Sequence, residues 1–451
     1  MSPAKSKSAI RRIAIAGHGV EAWLAANHLL AALAPRNVEI IVHPVEGSDA
    51  WDALYSAWPA GPDDGLASIG LGGHGLAVQC RGSFSLGVRY ADQFRPYGAV
   101  GIDFSGVPFH HHWQRQGGQD ANSYFSWSVA HDAAARQAFA PPQPRNAIGP
   151  LQHATARHLD IGLLTDQLRE RAMQHGVAVV EQPIGAADLV LDCSGPQRAL
   201  TSARAWQAAP GTSRYRLDLS AESTSEAPPP WHSIRPATEG WALDIHGHGW
   251  KNTIRLVTGD PSDNAGFAPG HVSRAWESNT LALGFAAAAL LPAEPLQARF
   301  LASSIKRMVD LLPGSDCAAK ETVEYNHLQQ TELAELEDLL SAHEYARTGK
   351  LRTDSVHASL ALRLEQFIHR GWIAPADCDF PAPSDWAASW ILLGTRPQST
   401  SRLAARIPAE ELEARMGRLR EEISRTASEF PSHSDFLRAV QSAASSQKRP
   451  G

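Results

Sequence analysis

Residues 12–30 read RIAIAGHGVEAWLAANHLL, and the fold follows from them. Arg12 to Ala16 is a short apolar run of strand length. Gly17-His18-Gly19 follows as a turn, and Val20 to Leu33 reads as an apolar helix. Asn37 to Val42 (NVEIIV) is a second buried strand, which completes a βαβ unit with short connections. Within it, Gly17-x-Gly19-x-x-Ala22 is a dinucleotide fingerprint. The first glycine permits the tight turn and the second lets backbone approach a pyrophosphate. Ala22 is small enough for close helix–sheet contact. The helix start then offers free N–H groups and a partial positive charge.

The second strand of such a unit should end in an acidic residue that holds the ribose hydroxyls. Here it runs into His43-Pro44, and the nearest carboxylate is Glu46. Two readings stay open: a working nucleotide site, or a retained fold whose cofactor is weakened or lost.

Composition narrows the function. The chain has 451 residues, 43% hydrophobic and 20% charged, as in ordinary globular proteins. Its formal net charge of −6 argues against nucleic acid, which calls for a basic face. Cys80, Cys193, Cys317 and Cys378 are far apart and form no CxxC, so a disulfide framework or zinc site is not expected and a reducing, cytoplasmic setting is. No run of 18 apolar residues suggests a membrane span.

Pro44 to Gly82 reads as mostly loop, with one short helix near Trp51 to Trp58. Ser83 to Tyr90 alternates like a strand. Ile161 to Gln174 has helical spacing, and Ala187 to Asp192 is another buried strand before Cys193-Ser194-Gly195. Arg216–Leu219, Gly240–Ile245 and Thr253–Thr258 suggest a second, antiparallel sheet. The later chain is helical, clearest at 332–345, 360–369, 408–425 and 435–445, with a frayed tail after Ser446. Residues 1–310 are expected to form an interleaved body and 311–451 a helical subdomain.

Further segments carry a family resemblance. Trp23 follows the fingerprint at once. Phe84-Ser85-Leu86-Gly87-Val88-Arg89-Tyr90 looks like FKLGIRF, and Phe109-His110-His111-His112-Trp113 like FHHYW. His158-Leu159-Asp160 looks like YHFD, and Asp192-Cys193-Ser194-Gly195 like DCTG. Glu239 to Ile245 falls where a GWxWxIP segment would. Trp276 to Leu296 resembles WxxNC…GF.EPLEST, and Phe430-Pro431-Ser432-His433 resembles MPSH. In this order they resemble the flavin-dependent tryptophan halogenases over nearly the whole chain.

The resemblance implies an α/β fold: a Rossmann-like, flavin-monooxygenase-type FAD-binding body with an added antiparallel sheet and a helical C-terminal cap. It implies FAD reduced by a separate flavin reductase, an aromatic substrate free or peptide-borne, and often a homodimer. By position, Gly17, Gly19, Ala22, Trp23, Asp192, Ser194, Gly195 and Gly284 are the cofactor residues it implies. His111, His112 and Trp390 are the implied substrate pocket.

The same resemblance marks what is missing. The family uses a lysine to direct oxidised halide onto the substrate, and its position here is Ser85. The glutamate near that lysine is Gln297, and the small residues after it are Arg299 and Phe300. The second tryptophan of GWxWxIP is Leu243 and its proline is His246. Halogenation is therefore expected to be altered or lost. An FAD-dependent oxidoreductase with changed chemistry and a silent homologue that binds a ligand or partner are the two readings. The run His110–His112 is weighed as a metal site, but adjacent histidines on a strand would point to alternate faces and no carboxylates accompany them; no metal is expected.

Overall fold

The computed structural model describes residues 10–447, apart from 35–36, 46–48, 62–63, 143–152, 210–213, 260–266, 291–294, 315–316, 318, 349–357, 376 and 379. Glu46, Glu294 and the end of the chain past 447 lie outside the described residues.

The opening unit forms as its sequence dictates. The strand Arg12–Ala16 pairs in parallel with Glu39–His43 on one side and with Leu189–Asp192 on the other. Sheet order runs from Trp276–Glu277 through Thr280–Ala282, Leu189–Asp192, Arg12–Ala16 and Glu39–His43 to Ala178–Val179. Ile13, Ile15, Val42, Leu189 and Leu191 are at or near zero exposure, as strands covered on both faces require. The helix Val20–Leu33 covers this sheet and packs on the helix Ile161–Gln174.

Gly17 is the tightest point. Its φ is +139°, its N–H donates to the His43 carbonyl at 2.9 Å, and a Cβ there would lie 2.2 Å from the Cys193 carbonyl oxygen. Backbone cannot yield as a side-chain tip can. Gly17→Ala should therefore cost at least roughly 3 kcal/mol, read as a lowered urea midpoint. A midpoint equal to that of the unaltered protein would contradict this packing.

A second six-stranded sheet runs Tyr215–Ser223, Trp250–Thr258, Gly240–Gly247, His232–Ala237, Gly87–Tyr90, Gln93–Pro96. The expected single strand over Ser83–Tyr90 is two strands. Ser83–Ser85 joins a three-stranded sheet with Ala57–Ala60 and Thr155–His158, while Gly87–Tyr90 enters the larger sheet. Leu86 is the corner, donating its N–H to the Pro230 carbonyl at 2.8 Å and accepting from Tyr97 N at 2.9 Å.

Two further expectations are corrected. The stretch read as mostly loop holds a helical turn at Asp49–Asp52, a 3-10 turn at Ala53–Tyr55 and the helix His74–Gln79, and Trp58 lies in the strand Ala57–Ala60 rather than in a helix. A buried ion pair, Arg157 to Asp64 at 2.6 Å, pins this stretch, and Asp64 also accepts from the Leu66 and Ala67 amides. The histidine run is helical, Phe109–Arg115, not extended. Asp103 takes the Phe109 N–H at 3.0 Å, so a side chain six residues upstream starts the helix.

From Leu296 the chain is mainly helical: Leu296–Asp310, Ala319–Thr348, Ala358–Arg370, Pro383–Leu392, Ala409–Ser428 and His433–Gln447. Arg363 forks onto both Glu335 oxygens at 2.6 Å and stacks on Trp386, whose indole N–H also reaches Glu335. Among the described residues no helix is long and apolar enough to cross a membrane. None of the four cysteines forms a disulfide.

Candidate functional site

Three turns converge at the carboxyl ends of the parallel strands, the usual location for a ligand in an open α/β sheet. They are Gly17–Gly19, Cys193–Gly195 and Gly284–Ala286. Gly195 and Gly284 have φ of +73° and +57°, and Leu283 N donates to the Asp192 carbonyl at 3.0 Å. Gly17, Gly19, Ala22, Asp192, Ser194, Gly195 and Gly284 thus share one neighbourhood. Trp23, 2% exposed, splints the first turn by donating from its indole nitrogen to the His18 carbonyl at 2.9 Å.

The carboxylates of this neighbourhood are committed to the protein itself. Asp192 is fully buried. It accepts from Ser194 N and Oγ at 3.2 and 2.6 Å, and from Leu200 N and Thr201 Oγ1 at 3.0 and 2.7 Å. At the end of the second strand, His43 Nδ1 is 2.9 Å from the Gln182 carbonyl. Asp52 stands at the helix start, 3.4 Å from Val20 N, with its Oδ2 2.5 Å from where a Gly19 Cβ would be.

Glu21 is the residue the fingerprint does not single out, because it falls on a position open to any side chain. The only local signal is a carboxylate among apolar neighbours. It is 2% exposed. Its Oε1 accepts from the Phe285 amide at 2.7 Å and from the Tyr55 hydroxyl. Its Oε2 is buried without a hydrogen-bond partner. Burial pushes the Glu21 carboxyl up to about 8, and burial together with Glu21 raises the Tyr55 phenol well above its usual range.

A groove of about 640 Å³ opens beside His18 and Gly19. Asp52, Asp160, Asp166 and Glu222 line it against Arg81 and Arg169, so carboxylates outnumber guanidiniums.

The positions matched to the family's lysine and glutamate are also spoken for. Ser85 has no exposed surface and its hydroxyl donates to the Gly87 carbonyl at 2.8 Å. The Tyr97 hydroxyl lies 3.4 Å from His232 Nδ1, and burial raises its phenol against the pull of Ser85, Arg95 and Arg299. Gln297 clamps the preceding segment. Its Oε1 accepts from Leu290 N at 3.0 Å, and its Nε2 donates to the Ala288 carbonyl at 3.0 Å and to the Tyr55 hydroxyl at 3.4 Å. Tyr55 therefore joins Glu21 to Gln297. Arg299 reaches solvent, yet burial of its guanidinium, 4.3 Å above the Phe380 ring, lowers its pKa.

His110 and His111 lie ring against ring, 4.2 Å between centroids, while His112 bonds elsewhere. His110 Nε2 lies 2.7 Å from the Gly371 carbonyl, His111 Nδ1 accepts from Ser401 N at 3.1 Å, and His112 Nε2 lies 3.3 Å from the Phe104 carbonyl. Burial lowers all three, His111 to about 3, so these are neutral splints. Trp390 is 1% exposed and stacks on Trp386 at 5.6 Å. None of these side chains lines the groove beside His18 and Gly19. Among the described residues no cluster of three metal-ligating side chains occurs.

Comparison with known proteins places this geometry. A family model described as tryptophan halogenase matches residues 12–189 and 251–409. The solved flavin-dependent halogenase BrvH from Brevundimonas sp. BAL3 superposes with a TM-score of 0.83 at 21% identity, covering 96% of this chain and 99% of that one. A flavin-dependent halogenase from Xanthomonas campestris gives 0.83 at 20%, covering 96% and 98%. A tryptophan 6-halogenase from Streptomyces toxytricini gives 0.79 at 17%, covering 95% and 100%. At such identities these likenesses speak for the fold.

Proposed function

The chain belongs to the tryptophan halogenase family, and from that premise we propose that it is a member that has given up halogenation and uses the fold to bind an aromatic ligand, free or peptide-borne. One observation carries the reading. Both positions that should supply the halogenating amine and its carboxylate hold neutral groups already bonded to backbone, Ser85 to Gly87 and Gln297 to Ala288 and Leu290. A serine hydroxyl cannot become an ammonium, and a carboxamide is no base near neutral pH. Losing an essential catalytic group costs orders of magnitude in rate.

Membership implies FAD, and the residues at the cradle do not fit it. A pyrophosphate brings negative charge to the helix start, where Asp52 already stands, and it needs space and an amide that the Glu21 carboxyl already takes. The ribose acid is replaced by His43, and the adjoining groove has a surplus of carboxylates. No chemical step is therefore assigned to a flavin. What remains available is an aromatic contact with a cation, Arg299 over Phe380, with Asp385 and Glu332 acting on the same guanidinium. Cysteines that form no disulfide suit the cytoplasm.

The retained glycine turns favour a second reading, an FAD-dependent oxidoreductase with changed chemistry, since Gly17 and Gly195 keep the geometry a dinucleotide needs. That reading alone requires a reductase partner.

The deciding experiment incubates the purified protein with FAD, a flavin reductase, NADH, air, chloride or bromide, and indole, tryptophan or a tryptophan-bearing peptide. Mass spectrometry should find no halogenated product beyond a reductase-only control. Halogenated indole above that control would overturn the proposal.

A further inference from the structure

A phosphate bound at such a site is held by backbone N–H groups of the helix start and of the turns that face it. In this chain one of those donors is occupied. The Phe285 amide, in the turn that follows the strand Thr280–Ala282, donates at 2.7 Å to Oε1 of Glu21, the second residue of the fingerprint helix. A carboxyl oxygen accepts from an N–H as a phosphate oxygen does, so the donor is satisfied without a ligand. The Tyr55 hydroxyl closes on the same oxygen.

Space is taken as well as hydrogen bonding. Gly284 has a φ of +57°, and a Cβ there would sit 2.1 Å from the Glu21 carboxyl. The carboxyl fills the gap between the helix and this turn. On the other flank of the helix start, Asp52 lies against Gly19. The arrangement is not a comfortable one in itself. The second Glu21 oxygen is buried with no hydrogen-bond partner, a cost that ordinary core packing avoids.

We propose that Glu21 is an internal occupant of the phosphate cradle, and that it is the residue that decides against dinucleotide binding in this chain. The inference rests on the non-halogenating reading for its biological sense, but its test is an equilibrium measurement that needs no turnover. A protein that binds FAD tightly and still halogenates nothing would sink this inference and leave that reading standing.

The unaltered full-length protein should show no saturable uptake of FAD by fluorescence quenching, nor of ADP by calorimetry, at concentrations up to about 1 mM. Glu21→Ala and Glu21→Ser remove the occupant, and Ser keeps a polar group near the Phe285 amide. With native circular dichroism as the control for folding, at least one should bind FAD roughly tenfold or more tighter than the unaltered protein. ADP should follow FAD, because the cradle meets the phosphates. Glu21→Gln keeps the volume and the acceptor and should gain nothing. Micromolar FAD binding by the unaltered protein would overturn the proposal. So would folded Ala and Ser variants that gain no affinity. Equal gains from Gln and Ala would also overturn it, since a side chain of the same volume and acceptor would then not block the cradle.

Discussion

Ser85→Lys should yield a destabilised protein that makes no halogenated indole, although it restores the residue type the family uses. Ser85 has no exposed surface, sits at the corner where the chain passes between two sheets, and donates to the Gly87 carbonyl. A lysine there loses that bond and forces a longer chain into a packed corner, which typically costs 1 to 3 kcal/mol, on the order of any overpacked core site. Its ammonium would be desolvated beside Tyr97, in the field of Arg95 and Arg299. Burial and like charge both push the amine toward its neutral form. The total loss should be on the order of 3–5 kcal/mol, read as a lowered urea midpoint. Activity should not follow, because no carboxylate stands ready: Gln297 is tied to Ala288 and Leu290. Chlorinated or brominated indole from this single variant would show that the remaining machinery is intact.

What was legible in the sequence is what local geometry fixes. The strand–turn–helix over residues 12–33 was readable because each glycine answers to its own turn and the apolar runs have the right lengths. Ser85 and Gln297 were readable as neutral polar residue types. What held those residues was not, because their partners are backbone atoms brought in by the fold. The helix Phe109–Arg115 was read as a strand, since its start depends on Asp103 and its histidines bond to Gly371 and Ser401 far along the chain. Trp58 pairs with Arg157 across the small sheet, a contact no window of neighbours contains. Glu21 is the sharpest case. It lies inside the best-read motif, yet its burial is set by Tyr55 and by Phe285, 264 residues away.

Glu21→Gln should remove a fall in stability that the unaltered protein shows as pH rises through the neutral range. The Glu21 carboxyl is raised from 4.5 to about 8 by burial, against the smaller opposing effects of Tyr55 and the Phe285 amide. Between those two pH values the folded chain holds a proton that the unfolded chain has lost. Stability therefore declines with rising pH. The contribution is whole below about pH 4.5 and is lost as pH passes about 8. Integrated over that span it amounts to something on the order of 4–5 kcal/mol. The buried histidines act in the opposite sense. His158, His232, His343 and His433 are held neutral by burial, with His232 and His433 near 4 and His343 near 3, so they withdraw stability as pH falls below the ordinary imidazole value. A single pH profile would mix the two effects. The difference between the unaltered protein and Glu21→Gln cancels the histidines, which both share. Glutamine keeps the acceptor for Phe285 N and Tyr55 and carries no charge at any pH. The two proteins should unfold at similar urea concentrations near pH 5. The glutamine variant should be the more stable by several kcal/mol, on the order of the loss above, near pH 8.5. Parallel profiles would mean that Glu21 titrates as an ordinary solvated carboxylate, and the sealed contact with Phe285 would not hold in solution.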